Sequence, residues 1–442
     1  MKFNIDEIIK VTGAKILHKT NTEGTFKLST DTRKIDKNQN DIIYLPLRGE
    51  NFDGHNFIDK ALENGAAGYF TQEQYKVNKN AKFVLYVKNT LIAYLELAKY
   101  IREKINPKVI AITGSSGKTT TKEMLSSVLE TTFKTHKSKL NHNNEIGLCE
   151  TMFSMPEDTE ILVVEMGMRN LGEIQLLTSY ALPDAGIITN IGSAHVERLG
   201  NLKNIALAKC EIASNLRPDG IFIGQNSEIL NETLKYQGEK ILVQISDCAN
   251  IEIEIGKSAF DYKKTHYALN IEGEHNIENA MLVIEAAKWA GVSDENIKKG
   301  LLNYKPIEKR WEITKIGDLT FINDSYNANP ESMMAVLKTF LSVYKKPLCV
   351  LLGDMGELGK DEIAYHKKIG GFLSSYKDVT LLTVGELAKF ISRACTLPSK
   401  HFNSKQECAN YIKDNLEAGT TILLKASRIM KFEEIIEMVK NL

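Results

Sequence analysis

The stretch Val109-Ile110-Ala111-Ile112-Thr113-Gly114-Ser115-Ser116-Gly117-Lys118-Thr119-Thr120 decides how the rest of the chain is read. Four apolar residues, Val109 to Ile112, have the form of a short buried strand. Gly114, Ser115, Ser116 and Gly117 make a turn, and Lys118-Thr119-Thr120 opens a helix that continues through Met124 and Leu125. Glycines let backbone N–H groups curl around an anion, and a helix N-terminus adds its partial positive charge. In such a loop Lys118 reaches terminal phosphates, and the Thr119 hydroxyl is a natural Mg²⁺ ligand. The spacing is shorter than the usual Gly-x-x-x-x-Gly-Lys-Ser/Thr, because Ile112 stands where the first glycine would fall. A bland Gly-Ser loop would not also carry the strand, the Lys-Thr pair and the helix. The stretch therefore predicts a nucleoside triphosphate site.

Around that loop, 442 residues suffice for several domains. The composition, 43% hydrophobic and 25% charged, is that of an ordinary globular protein. Charge balances at 56 basic against 56 acidic residues, which argues against a general nucleic-acid surface. The opening Met1-Lys2-Phe3-Asn4-Ile5-Asp6-Glu7 is acidic where a secretion signal would be apolar. No apolar run approaches the roughly 18 residues of a membrane span. Cys149, Cys210, Cys248, Cys349, Cys395 and Cys408 form no Cys-x-x-Cys pair, as expected of thiols in a reducing compartment. A cytoplasmic protein without membrane insertion is expected.

Three regions differ in pattern. Residues 1–85 mix short strands and helices around polar turns such as Gly49–His55. Residues 86–305 alternate strand and helix, with apolar runs at 109–112, 161–164 and 185–188 that suit a parallel sheet covered on both faces. Within this region, Gly256 to Gly273 reads as an appended antiparallel hairpin. A helix then follows, with Ala280, Ile284, Ala287, Trp289 and Ala290 facing inward and Gly291 ending it. Residues 306–442 restart the alternation with 348–352, 380–384 and 421–424, as a separate Rossmann-like α/β domain. The expected fold is α/β in three domains around a central P-loop-type parallel sheet.

Parallel sheets place ligand sites at the carboxyl ends of their strands. Glu165 directly follows 161–164, where a buried acid needs either a metal or a salt bridge. His195 follows the strand at 185–188 and its loop, and could add a nitrogen ligand or be structural. The amide-rich segment Asn141-His142-Asn143-Asn144-Glu145-Ile146-Gly147 could orient a substrate or simply cap a helix. Lys209 lies on a helix, where solvation is the default expectation. In the third region Asn323–Pro330, Gly353–Gly359 and Lys425–Arg428 follow successive strands. Together they form a second rim suited to an anionic, zwitterionic or hydroxylated ligand.

Taken together these segments resemble the Mur ligase family. The resemblance is carried by the short P-loop with Lys122-Glu123-Met124, by Asn143–Gly147, by Glu165-Met166-Gly167, and by Thr189–Gly192 with Ala194-His195 and Glu197. It continues through Gly273–Asn279, Asp324–Pro330, Gly353-Asp354-Met355 with Glu357-Leu358-Gly359, and Lys425 with Ser427-Arg428. In the first region, Ser29-Thr30-Asp31-Thr32-Arg33 and Asp53-Gly54-His55 resemble the family's uridine-nucleotide domain. The sequence departs from the family pattern at Met168-Arg169-Asn170, Gly356 and Ala426.

The resemblance implies an ATP- and Mg²⁺-dependent amide ligase of peptidoglycan precursor synthesis. ATP would phosphorylate the free carboxylate of a UDP-N-acetylmuramoyl-tripeptide, and the amine of D-Ala-D-Ala would attack the acyl phosphate through a tetrahedral intermediate. It further implies that Gly114, Ser115, Ser116, Gly117, Lys118, Thr119 and Thr120 hold the triphosphate, with Asn279, Arg310 and Asp324 as further nucleotide partners. Lys118, Glu165, His195 and Lys209 are the implied catalytic group. Thr119, Glu165 and His195 are implied as Mg²⁺ ligands, joined by Lys209 if it is carbamylated. Ser29, Asp31 and Arg33 are expected at the UDP end and Asn144 on the substrate side, with Asn327, Asn329, Ser427 and Arg428 on the dipeptide side. A monomer acting on small molecules, with no nucleic acid partner, is expected. The rival readings are a sister Mur ligase, a folylpolyglutamate synthase and a P-loop switch. A guanine-reading Asn-Lys-x-Asp is missing, since Asn78-Lys79-Asn80-Ala81 fails at its last position.

Overall fold

The structure, a computed structural model, describes residues 1–74, 77–139, 142–307 and 309–442. By internal contacts the chain divides into two compact units. The first comprises Met1–Lys108, His136–Leu162 and Ser179–Ala181, and the second Val109–Thr135, Val163–Thr178 and Leu182–Leu442.

In the first unit a five-stranded sheet runs in the order Lys15–Lys19, Phe83–Tyr86, Gly68–Thr71, Ile42–Tyr44, Lys27–Ser29. The first pair is antiparallel and the others are parallel. Ile42, Tyr44, Tyr69, Val84 and Ala61 form a buried cluster on it. The helix Thr90–Ile105 begins under the Asn89 side chain, which accepts from Ile92 N, and ends where Asn106 turns left-handed. These are an N-cap and an αL C-cap that the residue types favour.

The second unit holds two largely parallel sheets. In one, Glu239–Val243, Ile221–Gln225, Ala185–Ile188, Lys108–Thr113 and Ile161–Glu165 lie side by side. The strands that the apolar runs predicted are there, and Val109 to Ile112 are fully buried. The expected hairpin is Lys257–Tyr262 with Thr265–Leu269, and Cys248–Glu254 joins it as a third antiparallel strand. That extra strand is mostly exposed, and its sequence lacks the continuous apolar run of a buried strand. The helix Glu274–Ala290 buries Ala280, Ile284, Ala287 and Ala290 and ends at Gly291, at φ 99°. Trp289 is only partly buried.

The second sheet of this unit orders Glu312–Ile316, Leu319–Asn323, Thr421–Lys425, Leu348–Gly353, Val379–Val384 and Ser399–Phe402. Only its first pair is antiparallel. The helices Lys405–Asn415 and Glu433–Asn441 close one face, through Cys408, Ile412, Phe432 and Ile435. All six cysteines are free thiols. Among the described residues no helix is long and apolar enough to cross a membrane.

Candidate active site

The P-loop turn is shaped by what surrounds it. A Cβ built on Gly114 would lie 1.8 Å from Thr189 Oγ1, and one on Gly117, at φ 76°, would lie 2.7 Å from Asn279 Oδ1. Gly117 is also the N-cap of the helix Lys118–Leu129, with no side chain to occupy the first-turn N–H groups. Those donors are left for an anion. The turn is braced by the neighbouring loop. Ser116 N donates to Asn190 Oδ1 at 3.0 Å, and Ser115 Oγ donates to Gly192 O at 2.9 Å. Neither Asn190 nor Gly192 stood out as a site residue in the sequence. Their strand-end position after 185–188 was the available signal.

Lys118 folds back so that its Nζ donates to Gly114 O at 2.7 Å. Burial pushes its ammonium below the ordinary lysine range, Arg310 pushes the same way, and Glu165 pulls back. A group in this state is short of counter-charge, which a phosphate would supply. Thr119 Oγ1 donates to Glu165 Oε2 at 2.9 Å, and Arg310 Nη2 donates to Thr119 Oγ1 at 3.1 Å. The Arg310 guanidinium lies 4.2 Å from the centre of the Tyr326 ring, and its buried Nε has no partner among the described residues. Glu165 is 4% exposed. A salt bridge was one of the two expectations for it, and the partner is Lys122, whose Nζ lies 4.0 Å from Glu165 and 3.1 Å from Glu123. Lys122 is completely buried. The i,i+4 spacing from Lys118 was the signal that could have placed it on the same helix face. Tyr304 is buried beside this helix start, and burial pushes its phenol up to about 12.

His195 sits in the left-handed region at φ 67° and starts the short helix Val196–Leu199. Its Nδ1 is 2.5 Å from Glu357 Oε2, and this imidazole holds the Glu357 carboxyl below its usual range. Lys209 departs from the solvated default: it is 1% exposed on the helix Leu202–Cys210. Burial, then the charge of Lys118, drives its amine well below the ordinary range. Of the expected metal ligands, then, Thr119 and Glu165 meet directly, while His195 meets Glu357. Among the described residues no three His, Cys, Asp or Glu side chains converge on one point.

Asp324 is paired with Lys425 at 2.5 Å and accepts from Trp311 N at 3.2 Å. Lys425 Nζ also donates to Asn327 O at 3.1 Å. Asn279 Oδ1 accepts from Thr121 Oγ1 at 3.2 Å. Asn329 caps the helix Pro330–Val343 and sends its Nδ2 to Ser115 O at 3.2 Å. Ser427 has a buried hydroxyl without a partner among the described residues, and Arg428 is bonded to Glu433 at 2.6 Å. Asp354 Oδ1 receives Leu387 N and Ala388 N, which fixes the loop that carries Glu357.

In the first unit Asp31 holds Arg33 in a bidentate pair, both contacts 2.9 Å, and Ser29 Oγ donates to Asp31 O at 3.0 Å. The Arg33 hydrogen bond keeps the Asp31 carboxyl below its usual range. A cavity of about 360 Å³ opens beside Ser29 and Thr30, with Lys27, Lys34, Lys139 and His142 in its wall. Glu150 stands in the same wall, 3.4 Å from Lys34 and 3.6 Å from His142; of the basic groups only His142 lay in a segment singled out in the sequence. Asn144 caps the helix Glu145–Ser154 by accepting from Gly147 N at 2.9 Å. Asn141 lies outside the described residues.

Comparison with known proteins supplies the family. Residues 112–287 match the Mur ligase middle domain, and residues 309–428 match the Mur ligase glutamate ligase domain. The UDP-N-acetylmuramoyl-tripeptide–D-alanyl-D-alanine ligase of Bacillus subtilis (strain 168) is 38% identical, over 98% of this chain and 97% of its own. The Escherichia coli (strain K12) protein of the same name is 30% identical, over 94% of this chain and 93% of its own. Among solved structures, MurF from Acinetobacter baumannii superposes with a TM-score of 0.93 at 28% identity, covering 100% of this chain and 99% of that one. MurF ligase from Thermotoga maritima, solved in complex with ADP, shares the fold with a TM-score of 0.84 at 23% identity, over 94% and 97% of the two chains. The chain belongs to the Mur ligase family, in its group of UDP-N-acetylmuramoyl-tripeptide–D-alanyl-D-alanine ligases.

Proposed function

We propose that this protein joins D-alanyl-D-alanine to the free carboxylate of UDP-N-acetylmuramoyl-tripeptide at the expense of ATP, in the cytoplasm. Full-length relatives of that name support the substrates. The observation that carries the chemistry is the Thr119 hydroxyl shared between Glu165 and Arg310 at the mouth of an anion-shaped turn. On this reading residues 86–305 bind ATP, 1–85 the UDP end, and 306–442 the dipeptide.

The reaction must bring a carboxylate and a γ-phosphate, both anions, within bonding distance. Lys118 and the P-loop N–H groups hold the triphosphate, and the orphaned Nε of Arg310 offers a further donor to it. A carboxylate oxygen of the tripeptide attacks the γ-phosphorus, ADP leaves, and an acyl phosphate results. The dipeptide amine then attacks the acyl carbon. The tetrahedral intermediate expels inorganic phosphate, and the nitrogen gives up its extra proton. Oxygen donors at Thr119 and Glu165 fit Mg²⁺, with His195 and a carbamylated Lys209 as further candidate ligands, and the ion would neutralise phosphate charge. Lys209 suits carbamylation because only a neutral amine attacks CO₂, and its burial favours the neutral form. Asn279 and Asp324 are the candidate adenosine partners. Ser29 lines the cavity of the first unit, and Asp31, Arg33 and Asn144 are further candidates for the UDP-linked substrate. Asn327, Ser427 and Arg428 are candidates for the dipeptide, while Asn329 holds the P-loop.

Incubation with ATP, Mg²⁺, UDP-N-acetylmuramoyl-tripeptide and D-Ala-D-Ala tests the proposal. Phosphate release that requires both the tripeptide and the dipeptide is expected. Hydrolysis indifferent to them, or a preference for glutamate and a folate acceptor, would overturn it.

A further inference from the structure

The turn that leads into His195 is tied down from two sides. On one side it is bonded to the P-loop: Gly192 N donates to Ser115 Oγ at 2.8 Å, and Asn190 Nδ2 donates to Ser116 Oγ at 2.9 Å. On the other side stands Glu331, in the first turn of the helix Pro330–Val343. Its Oε1 accepts from Ser193 N at 3.0 Å, and its Oε2 accepts from Ser193 Oγ at 2.9 Å. Both oxygens of one carboxylate are thus spent on one residue. A bidentate, charge-assisted contact of this kind fixes orientation as well as distance.

The backbone leaves room for nothing else there. A Cβ on Gly192 would lie 2.8 Å from Glu331 Cδ, so the carboxylate packs directly over bare main chain. Two residues before Glu331, Asn329 Nδ2 reaches Ser115 O at 3.2 Å. One helix start therefore grips both the P-loop and the turn that delivers His195. Nothing in the sequence pointed to Glu331, which reads there as an ordinary acid in a first helical turn.

We propose that Glu331 is a positioning residue for phosphoryl transfer. It latches Ser193, and through it His195, against the P-loop, without touching the reacting atoms. The inference rests on the ligase reading above, and the experiment separates the two. Acceptor-dependent phosphate release by the unaltered protein tests the ligase reading by itself. Given that activity, Glu331→Ala should lower kcat on the order of a hundredfold, as a small misplacement of catalytic groups does. The affinity for ADP, measured by calorimetry, should stay within about twofold, since Asn190 and the P-loop bonds remain. Glu331→Gln should recover most of the rate, because its amide oxygen still accepts from Ser193 N and its NH₂ can meet the hydroxyl. Ser193→Ala should fall between the two, and Glu331→Ala with Ser193→Ala should be no worse than Glu331→Ala alone. An unchanged kcat in Glu331→Ala, or additive losses in the double variant, would overturn the latch. So would equal losses in Glu331→Ala and Glu331→Gln that track a fall in Tm, because a mere helix-start acid loses its benefit in both.

Discussion

Lys209 is a lysine that folding has stripped of water, and the neighbouring charge that acts on it is another cation, Lys118. Keeping such a group charged is costly, so folding favours the free amine, and an amine in that form can take up CO₂. The resulting carbamate would turn a cation into an anion, which makes sense beside metal ions and phosphates. Lys209→Ala should therefore lower kcat about 10–100-fold, the usual cost of losing a group that supports a metal site. Short carboxylates such as acetate or formate should restore part of the rate by filling the vacated space. Full activity in Lys209→Ala would return this lysine to a packing role. This burial was not legible in advance, because 202–210 has the mixed pattern of a surface helix and its depth is set by segments far along the chain. Lys118 and Thr119 were legible as candidates for the opposite reason, since a strand, a turn and a helix adjacent in sequence present them, and Glu165 was legible as the acid that ends an apolar run. The contacts of Arg310 with Thr119 and of His195 with Glu357 instead join residues more than 150 positions apart.

The strand–turn–helix unit of the P-loop tolerates very little at its glycines. Gly114 faces Thr189 Oγ1 so closely that any Cβ must displace the strand-end loop that also carries Asn190. Gly114→Ala should therefore weaken ADP binding at least tenfold and lower Tm, as measured by calorimetry and thermal melting. Gly371, inside the helix Glu362–Leu373, is exposed and has nothing within 4 Å of its Cβ position. There Gly371→Ala should raise stability by roughly 0.5–1 kcal/mol, because alanine loses less backbone freedom in a helix. Equal effects at the two glycines would show that packing around the loop does not set its shape. The same contrast explains what could be read in advance. Buried parallel strands announce themselves as apolar runs, and so 109–112, 348–352 and 421–424 were found. Cys248–Glu254 lies mostly exposed at the edge of its sheet, so its Ile251 and Ile253 did not add up to the continuous apolar run of a buried strand.

The molecule keeps two kinds of candidate site in separate compact units. The basic cavity beside Ser29 lies in the first unit, and the P-loop with Glu165, Arg310 and Lys209 lies in the second. A ligand that binds only the native form slows local opening where it makes contact. Because each site is built from the residues of its own unit, UDP and ADP should report on different stretches of chain. In hydrogen exchange, ADP with Mg²⁺ should slow peptides covering 114–120 and leave those covering 27–34 unchanged. UDP alone should do the reverse, slowing 27–34 through the cations at Lys27 and Lys34 and leaving 114–120 untouched. Raising ionic strength should weaken the UDP effect, since exposed lysines and a diphosphate attract through solvent. Protection of 114–120 by UDP, or none at 27–34 at saturating UDP, would remove the first unit from nucleotide-sugar recognition. That result would leave the P-loop assignment standing, because the ADP arm is read on peptides that share no residue with the first unit.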